Sequence, residues 1–201
     1  MRELDALRAR GKQVARGQGG MVLISGEAGV GKMRLTEEFS AAVRWRGEMV
    51  ACGRCYEPER VLPYQPLAEI LRDLTMQEER LGLTLPAWVH GELARLVPEL
   101  VTPSTHPEPP YGLVQPERQA ILFHAIAAFI GHCASRRPLL IVLEDLHWAT
   151  DSTLAAIHYL ARQLVNMHVW VIGTFRPEEV GETLITTMAW LGPVWTLQPL
   201  I

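Results

Sequence analysis

Gly26-Glu27-Ala28-Gly29-Val30-Gly31-Lys32 has the spacing of a loop built to hold phosphate. In the pattern G-x-x-x-x-G-K the glycines allow a tight turn and a close backbone approach to an anion. The lysine adds a compact charge on a flexible stem, which the planar fork of arginine does not reproduce. Lys12 and Lys32 are the only lysines in the chain, so this match is not a by-product of lysine abundance. The next residue should be Ser or Thr, whose hydroxyl ligates Mg²⁺. Here it is Met33. The loop from Gly26 to Met33 is therefore a candidate nucleotide-binding segment with an irregular metal position.

Two further places carry chemistry. Glu144-Asp145 follows the apolar run Leu139-Leu-Ile-Val-Leu143. A carboxylate there suits Mg²⁺, held directly or through water, and assigns that role to Glu144. Its neighbour Asp145 is placed to polarise an attacking water. Arg176 follows a second apolar run, Val169 to Thr174, and is positioned to read a γ-phosphate. Cys52-Gly-Arg-Cys55 has redox or zinc spacing. It lacks the second ligand pair that zinc requires, and it reads as two strand-end cysteines.

The elements that must position these groups are legible from periodicity. Residues 2–16 form a helix with Leu4, Leu7 and Val14 on one face, and 21–25 a strand bounded by glycine. A helix then runs to Trp45, and Met49 to Cys55 is a second strand. A proline-punctuated insert follows at about 58–116, with helical patches at 66–74 and 86–96 and a flexible stretch at 102–110. Helix 117–135, strand 138–143, helix 151–165, strand 169–174, a helix near 178–190 and strand 194–198 complete the order. Strands apolar throughout, alternating with amphipathic helices, predict an α/β three-layer sandwich with a central parallel sheet of about five strands. Ligands of such sheets sit at the carboxyl ends of the strands, where the loop, the acidic pair and Arg176 all fall.

Composition narrows the remaining possibilities. The 201 residues carry a net charge of −3, a pI near 6.2 and 48% hydrophobic residues, as expected of one globular domain with a substantial core. On that charge the domain is expected to make no direct nucleic-acid contact. The most apolar stretch, Ala120 to Ala134, is too short to span a bilayer, and no N-terminal signal is visible, so no membrane association and a cytoplasmic location are expected. No Asn-Lys-x-Asp motif for reading guanine occurs.

The motifs together carry a resemblance. Segments 26–35, 53–57 (Gly-Arg-Cys-Tyr-Glu), 63–67 (Pro-Tyr-Gln-Pro-Leu), 143–149 (Leu-Glu-Asp-Leu-His-Trp-Ala) and 173–179 (Gly-Thr-Phe-Arg-Pro-Glu-Glu) resemble one family. It is the AAA-like P-loop ATPase module of bacterial STAND signalling proteins, as in large LuxR-type regulators and beside adenylate cyclase domains. The resemblance covers nearly the whole of 1–201. It implies ATP and ADP as ligands at Lys32, Mg²⁺ near Glu144, water activation by Asp145, γ-phosphate sensing by Arg176, and other domains or protomers of a larger regulator as partners. Both ends look cut in this comparison, and the family's helical lid and output domains are expected to lie outside the segment. Two readings stay open: a switch that hydrolyses ATP slowly, and a module that binds nucleotide or partners without turnover.

Overall fold

The computed structural model describes residues 2–14, 17–57, 62–79, 85–100, 115–191 and 194–196. Its elements run α1 (Arg2–Val14), β1 (Gly20–Ser25), α2 (Lys32–Trp45), β2 (Met49–Arg54), α3 (Gln65–Glu79), α4 (Ala87–Leu93), α5 (Gln115–Arg136), β3 (Leu139–Glu144), α6 (Asp151–Gln163), β4 (Val169–Phe175), α7 (Glu182–Leu191) and β5 (Val194–Thr196). The five strands form one parallel sheet in the order β2-β3-β4-β1-β5. The expected α/β class and sheet are therefore observed.

Period-two alternation divides the sheet's side chains between two cores. Val22 and Ile24 of β1 face α1 and α2, where they meet Leu7, Phe39, Val43, Leu140, Val142 and Trp170. Phe39 and Trp170 meet edge to face, with ring centroids 5.2 Å apart. Met21 and Leu23, one residue out of phase, face the larger core built with α3, α5, α6 and α7. Every residue of β4 is buried, which is why that strand reads as an unbroken apolar run.

Some bounds differ from the sequence expectation. Helix α3 extends to Glu79, and Pro116 lies in the first turn of α5, where a missing N–H costs nothing. The helices expected at 151–165 and near 178–190 begin or end in short 3₁₀ turns, Leu164–Asn166 and Pro177–Glu179. The stretch 102–110 and residues 197–198 lie outside the described residues. Helix α3, placed by sequence within an insert, packs into the main core through Leu67, Ile70, Leu71 and Leu74 and lies along β2. Gln77 donates to the Val50 carbonyl at 3.1 Å, so α3 covers an otherwise open sheet edge.

Candidate functional site

The loop after β1 passes through two left-handed glycines, Gly29 (φ +76°) and Gly31 (φ +99°). At both a β-carbon would meet open space, so the requirement for glycine is conformational rather than steric. Gly31 caps α2 without any side-chain hydrogen bond, and the helix has no acidic residue in its first turn. The first N–H groups of α2 thus have no intrahelical partner and favour an anion. Lys32 is buried, and its Nζ donates to the carbonyls of Gly26 (2.5 Å) and Glu27 (2.9 Å). The ammonium takes acceptors of its own loop, and burial, with Arg176 nearby, holds its pKa below the usual range.

The strand order brings the other predicted groups beside this loop. Strands β1, β4 and β3 are neighbours, so Lys32, Arg176, Glu144 and Asp145 share one edge of the sheet. A cleft of about 340 Å³ there is lined by Ala28, Gly29, Gly31, Lys32, Met33, Arg34, Arg54, Glu144, Asp145, Thr174 and Arg176. That volume lies within the range of small-ligand sites. Gly26 and Glu27 contribute through the carbonyls that hold Lys32, while Val30 turns the loop through a 3.4 Å hydrogen bond to Glu27 and does not line the cleft.

Asp145 has φ 57° and ψ 46°, a left-handed conformation that Asp tolerates better than most side chains. Its N–H donates to Thr174 Oγ1 at 3.1 Å, and its carbonyl accepts from the Trp148 N–H at 2.9 Å. A buried threonine on the neighbouring strand therefore fixes the turn that presents Asp145 to the cleft. Sequence reasoning missed Thr174, because its relation to Asp145 exists only through the β3–β4 adjacency. It also assigned no role to Arg54. Arg54 is the register partner of Glu144, and its Nε and Nη2 both donate to Glu144 Oε2, the former at 2.7 Å. Arg54 Nη2 also lies 3.4 Å from Met33 Sδ. The signal was present, since Arg54 ends β2 at the ligand-bearing edge.

Arg176 is already engaged. Its Nη1 donates to Glu179, and its guanidinium lies 5.2 Å from the Trp148 ring centroid. Its N–H donates to His147 Nδ1 at 3.4 Å, leaving His147 Nε2 to face Glu179 at 3.5 Å. Burial pushes the His147 pKa down, against the opposing pull of Asp145 and Glu179. A folded-state value below the unfolded one near 6.5 gives stability that is full above about pH 6.5 and lost as pH falls through the folded value. Urea melts between pH 7.5 and 5 should show a shallower pH slope for His147→Asn, which keeps an acceptor for the Arg176 N–H. Equal slopes would remove His147 from the account. Cys55, buried beyond the end of β2, has its thiol pushed up to about 12 by burial and is no nucleophile at neutral pH.

A family model for the AAA ATPase domain matches residues 1–172. The chain belongs to that family. AAA ATPase domains bind nucleotide, typically with Mg²⁺, and the uncapped helix, the glycine loop and Lys32 fit the phosphate part of such a ligand. The metal position is less ready: Met33 offers a thioether, and Glu144 is already paired with Arg54. No curated protein matches the chain. Among solved structures, the AAA ATPase domain is similar to Aeropyrum pernix ORC1 in complex with DNA, with 16% identity, 99% of this chain and 45% of that one covered, and a TM-score of 0.52. It is also similar to a chain of Drosophila ORC bound to GC-rich DNA and Cdc6, with 10% identity, 98% and 57% coverage, and a TM-score of 0.49. The chain spans about half the length of these proteins. The likeness is one of fold.

One expectation is corrected here. Net charge suggested no nucleic-acid contact, yet the Aeropyrum pernix protein that shares this fold was solved on DNA. A net charge of −3 is a sum over the whole surface and does not exclude a local contact. No described helix is long and apolar enough to cross a membrane.

Proposed function

We propose that this AAA ATPase domain is an ATP-operated switch within a larger bacterial signalling or transcription regulator, of the STAND type that its motifs resemble. The observation carrying this reading is the convergence of the phosphate loop, Asp145 and Arg176 on one cleft. Loop amides and Lys32 hold the phosphates. Asp145, fixed by Thr174, orients the water that attacks the terminal phosphate and takes its proton. A divalent cation, where bound, offsets phosphate charge. Arg176 reads the γ-phosphate by exchanging its Glu179 carboxylate for a phosphate oxygen, which frees the Pro177–Glu179 turn and, through it, α7. Partner domains or protomers respond to that movement. Helix α4 belongs to the insert on this module, placed by sequence at about 58–116, and lid and output functions belong to further segments of the regulator.

Asp145→Asn is the test of turnover. Asn also accepts the left-handed conformation, so the turn should survive. Phosphate release should vanish while ATP affinity stays within about threefold. Unchanged release would remove Asp145 from the mechanism. A wild-type domain that binds ATP but releases no phosphate would establish the second reading, a non-hydrolysing nucleotide-binding module, which Met33 and the Arg54–Glu144 pair favour.

A further inference from the structure

Three observations meet at one point of the cleft. Met33 stands where the pattern puts a metal-ligating hydroxyl. Glu144 stands where it puts the metal's carboxylate. The Arg54 guanidinium lies between them, donating twice to Glu144 Oε2 and reaching within 3.4 Å of Met33 Sδ. A soft thioether is a poor partner for hard Mg²⁺, but it is a weak acceptor that can take an N–H of the Arg54 guanidinium.

We propose that Arg54 is the resident cation of this site, standing in for the divalent metal and contacting the nucleotide's terminal phosphates itself. The proposal rests on the ATP-binding reading above and deepens it.

The geometry supports the exchange in several ways. Arg54 lines the same cleft as Gly29, Gly31 and Lys32. It is anchored at both ends, because its N–H donates to Glu69 Oε2 at 2.8 Å while its side chain is locked on Glu144. Nε and Nη2 serve Glu144, and the fork carries further N–H donors that can reach phosphate oxygens. The pairing also cancels the charge of Glu144, which would otherwise repel the phosphates that a metal normally shields. With Glu144 taken up by Arg54 and a thioether at position 33, the metal lacks its usual ligands, so the site should hold ATP without gaining from it.

Calorimetric titration with ATP, in excess Mg²⁺ and in EDTA, tests this on the full chain. Wild-type affinity should agree within about threefold in the two media. Arg54→Gln keeps an amide donor for Glu144 but not the charge, and should lose about tenfold or more in EDTA, the usual worth of a charged contact. Mg²⁺ should restore most of that loss, because Glu144 is then available to it. Met33→Thr alone should leave affinity without a Mg²⁺ effect, and should enlarge the effect that Arg54→Gln brings. Glu144→Gln gives an independent arm should Arg54→Gln fail to fold. With Arg54 as the cation, it removes a negative charge and leaves ATP affinity equal or tighter in both media. With Mg²⁺ as the cation, it weakens binding in Mg²⁺ alone. A tenfold or larger gain of wild-type affinity on adding Mg²⁺, or unchanged EDTA affinity in Arg54→Gln, overturns the proposal and leaves ATP binding standing. No ATP binding by the wild type in either medium overturns both.

Discussion

Lys32→Ala should abolish measurable ATP binding while leaving a folded domain. Lys32 is the one ammonium among the described residues that line the cleft, seated on the carbonyls of Gly26 and Glu27 at the start of α2. A phosphate entering the loop meets that charge together with the free N–H groups of the helix. Charge-assisted contacts are each worth about 1.5–3 kcal/mol, and an ammonium has three donors to offer phosphate oxygens, so a loss on the order of a hundredfold or more is expected. The fold should tolerate the change. Burial already disfavours the charged amine, and its removal relieves part of that cost. Arg34→Ala is the comparison: it deletes a charge from the same cleft outside the loop's cradle, and should weaken ATP by only a few-fold. Wild-type affinity in a folded Lys32→Ala domain would sink the assignment of this cleft to nucleotide. Equal losses in the two variants would mean the cleft collects phosphate by net charge alone.

The parts of this site legible in the sequence are those that local spacing encodes. Loop 26–32 announces itself because Gly29 and Gly31 answer backbone requirements within seven residues. The strands 139–144 and 169–175 are legible because a parallel sheet buried on both faces allows no polar interruption. Their carboxyl ends then give Glu144, Asp145 and Arg176. What spacing does not encode is which strands are neighbours. The order β2-β3-β4-β1-β5 sets Arg54 against Glu144 across ninety residues of chain, and Thr174 against Asp145 across twenty-nine. Neither pair leaves a periodic trace. The sequence therefore offered Glu144 as a candidate metal carboxylate and showed a missing hydroxyl, without showing the arginine between them. Net charge misled for a related reason: it sums the surface and has no position. The wider regulatory role rests on motif resemblance, whereas membership of the AAA ATPase domain family rests on the match across residues 1–172.

Gly53→Ala should be among the most destabilising single-methyl changes in the domain, and should disturb the site from behind. Gly53 lies in β2 opposite Leu143, and a β-carbon there would sit 2.1 Å from the Pro66 carbonyl oxygen and 2.8 Å from its carbon. Those atoms are backbone at the start of α3, so no side chain can swing aside. The helix itself must move. Overpacking of this kind costs about 1–3 kcal/mol where neighbours yield, and an obstacle of backbone places the cost at the top of that range or above. For a domain of this size, about 3 kcal/mol lowers the melting temperature by roughly 6–12 °C. Gly20→Ala is the matched control, since its β-carbon meets nothing within 4 Å, and it should stay within about 0.5 kcal/mol of wild type. The consequence reaches the cleft through Glu69 of α3, whose carboxylate holds the Arg54 N–H. Displacing α3 loosens Arg54, and with it the charge pairing of Glu144. ATP affinity in EDTA should therefore fall in Gly53→Ala even at temperatures where the variant is folded. A variant that melts with the wild type would show that α3 is not seated on β2, and the positioning of Arg54 would lose its support.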